Sequence, residues 1–309
     1  MTTVAPTDAV DEPRESPKGM SETRVAWMFV LPGGSMLLLF IVLPFALAIW
    51  FSLTNQRLIS PLQTRFVGLD NYMSELADPV FWKSLWNNFR FAAFVVPFQT
   101  VFALALAVMV NQRVRGRTVF RTIFFTPITV VMAAAATIWV LLFNVNGLVN
   151  GFFEAITFGN FAPDWLNDPT WAMWAIIVVS VWQGVGFQMV ILLAALQDVP
   201  SELYEAASID GADAWRQFRS ITVPGIRNAL IFVFTVTTIL AMRLFDQPTL
   251  MPRSPGGPLD STRTTMVHMV DVGFGRQAIG RGSAIAILFF VIVLALTIIQ
   301  RRFVREEAG

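Results

Sequence analysis

The side chains best able to do chemistry in this 309-residue chain fall in three short stretches. The first holds Ser180, Gln183, Gly184 and Phe187, whose i, i+3, i+4, i+7 spacing puts them on one face of a helix. That face offers a hydroxyl, an amide, a gap and an aromatic ring, a set able to hydrogen-bond and stack against a polyhydroxylated solute. Packing against a neighbouring helix, with the glycine allowing close approach, is the alternative. The second stretch holds Arg243 and Asp246, either solute contacts or an ion pair near a membrane interface. The third runs from Asp198 to Gly225. There Glu205-Ala206-Ala207 sets one acid beside two small side chains, a combination suited to docking in a partner's groove. The alternative is a helix that only lies on a membrane surface.

Other chemistry is excluded by composition. With no Cys, the chain has no disulfide, thiol nucleophile or thiolate metal site. His268 is the single His, so no His triad or cluster of histidines can form, and it is expected to be structural. There is no GxxxxGK[ST] loop, and Lys18 and Lys83, the two lysines, lie outside glycine-rich settings. No nucleotide, cofactor or metal is therefore expected in this chain, and any energy must come from another. The 22 basic residues face 21 acidic ones and are scattered, which gives no nucleic-acid footprint.

The elements that must position these residues are membrane spans. The chain is 55% apolar and 14% charged, with mean hydropathy +0.60, which fits an integral membrane protein and no ordinary soluble one. Apolar runs predict six helices, at about Val25 to Ser52, Asn88 to Val110, Thr122 to Phe143, Trp171 to Leu196, Ile226 to Asp246 and Gly282 to Gln300. Residues 1–24, acidic and proline-containing, read as a disordered cytoplasmic tail, and 301–309 as a second tail. Ala46-Leu47-Ala48 resembles a cleavage site, but the preceding run exceeds the roughly 7 to 15 residues of a signal peptide, so the first helix is expected to remain. With both termini inside, thirteen Lys and Arg flank the cytoplasmic side and eight the other, as the positive-inside bias requires. Within 198–225, Asp198, Pro200 and Glu202 read as a helix start, Gly211 as a break, and Trp215, Phe218 and Ile221 as the stripe of a second short helix.

Glu205-Ala206-Ala207, Gly211, Ile221 and Pro224 resemble the EAA loop of the inner-membrane permeases of binding-protein-dependent ABC importers, departing by Val223 in place of the usual Leu. Phe66-Val67-Gly68-Leu69-Asp70-Asn71-Tyr72, Phe120-Arg121-Thr122 with Pro127, Trp182-Gln183-Gly184, Gly256-Gly257-Pro258, and Gly280 with Ser283-Ala284 are similar to blocks of the sugar-type, MalF-like or UgpA-like members. The resemblance covers roughly residues 25–300. It implies an all-α, six-span, type I importer permease in a bacterial inner membrane, whose EAA coupling helices dock on a partner. The implied partners are a second homologous permease, two ATPases that bind ATP and Mg, an extracytoplasmic solute-binding protein and a small-molecule solute. Coupling would fall to Glu205, Ala206, Ala207, Gly211 and Pro224. The solute path would include Ser180, Gln183, Gly184, Phe187, Arg243 and Asp246.

The departures bear on the solute. Ile128 and Met132 stand where maltose-type relatives carry polar contacts, which argues against a long oligosaccharide site. Arg243, Arg253 and Arg263 could favour an anionic glycerol phosphate-type solute, or form a solvated face for the binding protein. A secondary transporter is the rival of a different class, but the first, third, fourth and sixth spans contain no ionisable residue to couple an ion. A membrane enzyme would need a catalytic constellation that the spans do not offer.

Overall fold

A computed structural model describes residues 22–59, 63–112 and 116–306. Contacts divide the chain into two units, Met1–Leu47 and Ala48–Gly309. The tail expected over 1–24 falls outside the described residues up to 21, and Glu22 already begins a helix.

The first unit contains α1 (Glu22–Leu37), a π-helical segment (Leu38–Val42) and the start of α2 (Leu43–Ser52). Ala26–Ser52 is 27 residues with mean hydropathy 2.4, long and apolar enough to cross a membrane.

The second unit is also helical, and among the described residues its only β pairing is an isolated bridge between Thr54 and Phe66. Short α3 (Asp70–Leu76) leads into α4 (Pro79–Asn111), started by Asp78, which accepts from the Val80 N–H at 2.8 Å. Then come α5 (Arg117–Thr129), α6 (Met132–Leu142), α7 (Leu148–Thr157) and α8 (Ala172–Gln197). The loop helices α9 (Ser201–Ile209), α10 (Ala214–Gln217) and α11 (Val223–Gly225) precede α12 (Arg227–Met242), α13 (Asp246–Leu250), α14 (Thr265–Val270) and α15 (Ile279–Glu306). The core is built on α4 against α8. Phe91, Val95, Met173, Ile176 and Met242 form its outer part, and Ala103, Ala107, Met189, Leu192 and Ile226 the part nearer the loop helices. Small residues such as Ala103 and Ala107 let the helix axes approach, as membrane packing requires.

Two expected spans are not continuous. The third breaks between α5 and α6, which meet at 101°. Pro127 removes one helical N–H, and Val130 and Val131, at ψ 127° and 131°, follow in extended conformation, where β-branched side chains are comfortable. The fifth ends at Met242, with Arg243 to Phe245 outside the helix before α13 begins. Among the described residues, five helices therefore satisfy the length and hydropathy of a span, or six when α5 and α6 count as one. The last helix extends to Glu306, so residues 301–306, expected as tail, continue α15.

Candidate solute path and coupling surface

A cavity of about 390 Å³ lies among α4, α5, α8, α12 and α13. Ser180, Gln183, Gly184 and Phe187, picked out by their helical spacing, and Arg243 and Asp246, picked out as ionisable groups and by the family resemblance, all line it. Ile128 lines it too, whereas Met132 packs against the outer core. Sequence reasoning missed Gln99 and Gln247, which share the wall. Gln247 donates to Ser180 Oγ at 3.4 Å, and Ser180 itself donates to the Ile176 carbonyl at 2.8 Å. At Gly184 the Gln99 amide occupies the space a methyl group would take, so the two side-chain positions are packed directly against each other.

The two helix breaks shape this cavity, and side chains satisfy the carbonyls they release. Gln183 Nε2 donates to the Val130 carbonyl at 3.3 Å, in the extended turn between α5 and α6. Asn88 Nδ2 donates to the Met242 carbonyl at 2.7 Å while its Oδ1 accepts from the Thr265 N–H at 2.8 Å. Thr264 Oγ1 donates to the Leu244 carbonyl at 2.7 Å. In a membrane such irregular backbone persists only with partners of this kind, and broken helices of this kind line transport sites. The break also corrects the expected Arg243–Asp246 pair, since the two form no ion pair with each other in the structure. Arg243 sits at the C-terminal end of α12 and Asp246 in the first turn of α13, where each charge complements its own helix end. Both are exposed on the cavity wall.

The loop after α8 folds as helix, turn, helix, but its start differs from expectation. Asp198 is the C-terminal cap residue of α8, and α9 begins at Ser201 behind Pro200 with no side-chain cap. Gly211 has φ +76°, a left-handed conformation that glycine adopts without cost. Asp213 then caps α10 by accepting from the Arg216 N–H at 2.8 Å. A Gln217–Ser208 bond of 2.9 Å and a Tyr204–Thr222 contact of 3.0 Å hold the arms together. Glu205, Ala206 and Pro224 are left exposed and Ala207 half-buried, beside Leu203, Ile209 and Trp215, also exposed. An acid is thus exposed among small and apolar groups.

A third cluster was not legible in the sequence. His268 and Glu75 are both fully buried, with Nε2 and Oε2 3.2 Å apart, and Arg281 Nε donates to Glu75 Oε1 at 2.7 Å. Asp78 adds a third ligand-type group within 4.8 Å. The Arg281 guanidinium already supplies positive charge to Glu75, so the group holds together as an ion-pair network. Arg263 pairs with Asp260 at 2.6 Å and lies 3.4 Å from Asp271.

Residues 99–307 match the family described as Binding-protein-dependent transport system inner membrane component. The chain is 36% identical over 280 residues to the trehalose/maltose transport system permease protein MalF of Thermococcus litoralis, covering 90% of this chain and 92% of the relative. It is 32% identical to the lactose transport system permease protein LacF of Rhizobium radiobacter, over 89% and 91% of the two chains. To the sn-glycerol-3-phosphate transport system permease protein UgpA of Yersinia enterocolitica it is 30% identical, over 94% and 97%. A chain of a bacterial alginate ABC transporter, solved in complex with alginate pentasaccharide-bound periplasmic protein, shares the fold. Its TM-score is 0.79 at 19% identity, over 92% of this chain and 94% of that one.

Proposed function

The chain belongs to the binding-protein-dependent transport system inner membrane components, and on that premise we propose that it carries a neutral carbohydrate or related polyol through the cavity between α4, α8 and α12. It is a multi-pass, non-catalytic permease subunit of an ABC importer, which removes an ion-coupled carrier from consideration. The single observation that carries the solute reading is the charge on the cavity wall. Arg243 and Asp246, though not paired with each other, put one charge of each sign there, and the remaining polar groups are neutral amides and hydroxyls. Arg263 is engaged by Asp260 and Asp271, so it does not join Arg243 in an anion-binding cluster. Hydroxyl-bearing solutes suit such a wall, because each amide can donate and accept. Relatives with disaccharide names support this choice, and the glycerol-3-phosphate relative supplies the competing one.

The mechanism rests on the family's partners and on the way this chain's coupling loop joins its cavity helices. A second permease completes the path, a binding protein delivers solute from outside, and two partner ATPases bind and hydrolyse ATP with Mg. Both termini and the 198–225 loop face the cytoplasm, where Glu205, Ala206 and Ala207 dock on an ATPase while Gly211 and Pro224 fix the loop's shape. The arms of that loop continue into α8 and α12, two of the helices that wall the cavity. Displacement of the loop therefore displaces the cavity wall, and the ATPases' differential affinity for the two arrangements drives alternating access.

Uptake by the reconstituted complex tests the solute class, with labelled trehalose, maltose and sn-glycerol 3-phosphate each supplied beside the cognate binding protein. Saturable, ATP-dependent entry of a neutral sugar is expected. Entry of the phosphate ester alone overturns the reading.

A further inference from the structure

We propose that Gln188 is a specificity-determining residue of this cavity, presenting a hydrogen-bond acceptor to one hydroxyl of the transported sugar. The inference rests on the carbohydrate reading above and names one contact within it. Gln188 follows Gly184 by one helical turn and precedes Ile191 by another, and all three line the cavity. Around it the wall turns apolar, with Ile191 and Val233 as neighbours, so the Gln188–Thr237 pair supplies the polarity at the end nearest the coupling loop.

Two observations fix which end of the amide is on offer. Gln188 Nε2 lies 2.6 Å from Thr237 Oγ1, and Thr237 Oγ1 lies 2.7 Å from the Val233 carbonyl oxygen. A hydroxyl has one proton, and a carbonyl can only accept, so Thr237 donates to Val233 and must accept from Gln188. The NH₂ edge of the amide is thereby committed to Thr237, which leaves Oε1 as the free end. Independently, Gln188 is 2% exposed and its Oε1 has no hydrogen-bond partner among the described residues. A buried amide oxygen is normally paired, and leaving one unpaired carries a desolvation cost that a matching donor removes. A sugar hydroxyl is such a donor, whereas a methylene, a fluorine or an ether oxygen is not. Oε1 is closed off from solvent in this arrangement, so contact requires the side chain to tilt into the cavity whose wall it already forms. Selection by one buried hydrogen bond of this kind is worth about tenfold to a hundredfold between a solute and its deoxy analogue.

The test uses the full complex in proteoliposomes with one binding protein throughout. Uptake efficiency is measured for trehalose or maltose, whichever the wild type imports, and for its monodeoxy and monofluoro-deoxy series. Because the binding protein is constant, changes in the analogue-to-parent ratio between wild type and variant report on the permease. Gln188→Met should lower uptake of the parent sugar about tenfold, yet leave one deoxy analogue, the one lacking the contacted hydroxyl, at its wild-type rate. Thr237→Val frees the amide to turn its NH₂ edge inward, so the fluoro analogue at that position should gain on the parent about tenfold. Ratios equal to wild type in both variants overturn the proposal. If Gln188→Met fails to assemble, an unchanged fluoro-to-parent ratio in Thr237→Val overturns it alone. Failure of the wild type to import any neutral sugar instead overturns the carbohydrate reading, and this inference with it.

Discussion

Gly184 and Gly186 lie two residues apart on α8, yet the structure gives them opposite tolerance for one added methyl group. At 186 a methyl would meet backbone of α5, running into the Phe124 carbonyl with the carbonyl carbon at 2.6 Å and Phe125 Cα at 2.9 Å. Ordinary carbon contacts are about 3.5–4.0 Å, so α5 must retreat by roughly 1 Å. Overpacking of a well-filled interior costs about 1–3 kcal/mol, and backbone cannot rotate aside, which places Gly186→Ala near the upper end. Replacing a helical Gly by Ala returns about 1 kcal/mol of propensity, leaving a net loss of about 2 kcal/mol. At 184 the obstacle is the far end of the flexible Gln99 side chain, with Cδ at 3.0 Å. Its reorientation is offset by the same propensity gain, so Gly184→Ala is expected near neutral in stability. Thermal unfolding of the detergent-purified complex should show Gly186→Ala lowered by roughly 4 °C and Gly184→Ala within about 1 °C. Uptake should fall in Gly184→Ala, since Gln99 is pushed toward the cavity. Equal destabilisation of both variants, or a stable Gly186→Ala, would refute the packing of α5 on α8.

Other consequences are equally direct. Glu205→Arg reverses the charge on the proposed docking face, so ATPase copurification and uptake should fall together while membrane insertion is kept; normal assembly and transport would deny the loop its coupling role. Arg243→Ala removes the wall's positive charge and is expected to reduce sugar uptake without affecting expression, and loss of expression instead would mark a structural role. Glu75→Ala breaks a buried pair and leaves His268 and Arg281 behind, at a cost of roughly 3 kcal/mol, the low end of the usual range because Arg281 remains about a third exposed. Single cysteines at Arg216 and Gly257 should react with an impermeant thiol reagent from the inside and outside respectively; the reverse labelling would invert the topology.

The helices were legible because a spanning segment is announced by hydropathy over about 20 residues, and the cavity face was legible because Ser180, Gln183, Gly184 and Phe187 share one helix whose periodicity is regular. The breaks at 130–131 and 243–245 were not, since a hydropathy average is insensitive to backbone direction. Local signals do exist: Pro127 precedes the run Ile128-Thr129-Val130-Val131, and Asp246 with Pro248 is a helix start inside an apolar stretch. Asp198 misled because a capping residue before a proline is also what a helix end leaves behind. Gln99, Asn88 and the Glu75–His268 contact were out of reach, because their partners lie 85 residues or more away for the first two and 193 for the last, and only the packed fold brings them together.

The claim that the α4–α8–α12 cavity is the solute path is tested most directly at Ser180, in a chain with no native cysteine. In a Ser180→Cys complex, modification by a small methanethiosulfonate should stop uptake, and saturating transported sugar should slow the reaction. Modification that proceeds at the same rate with sugar present, while transport continues unimpaired, would contradict the account.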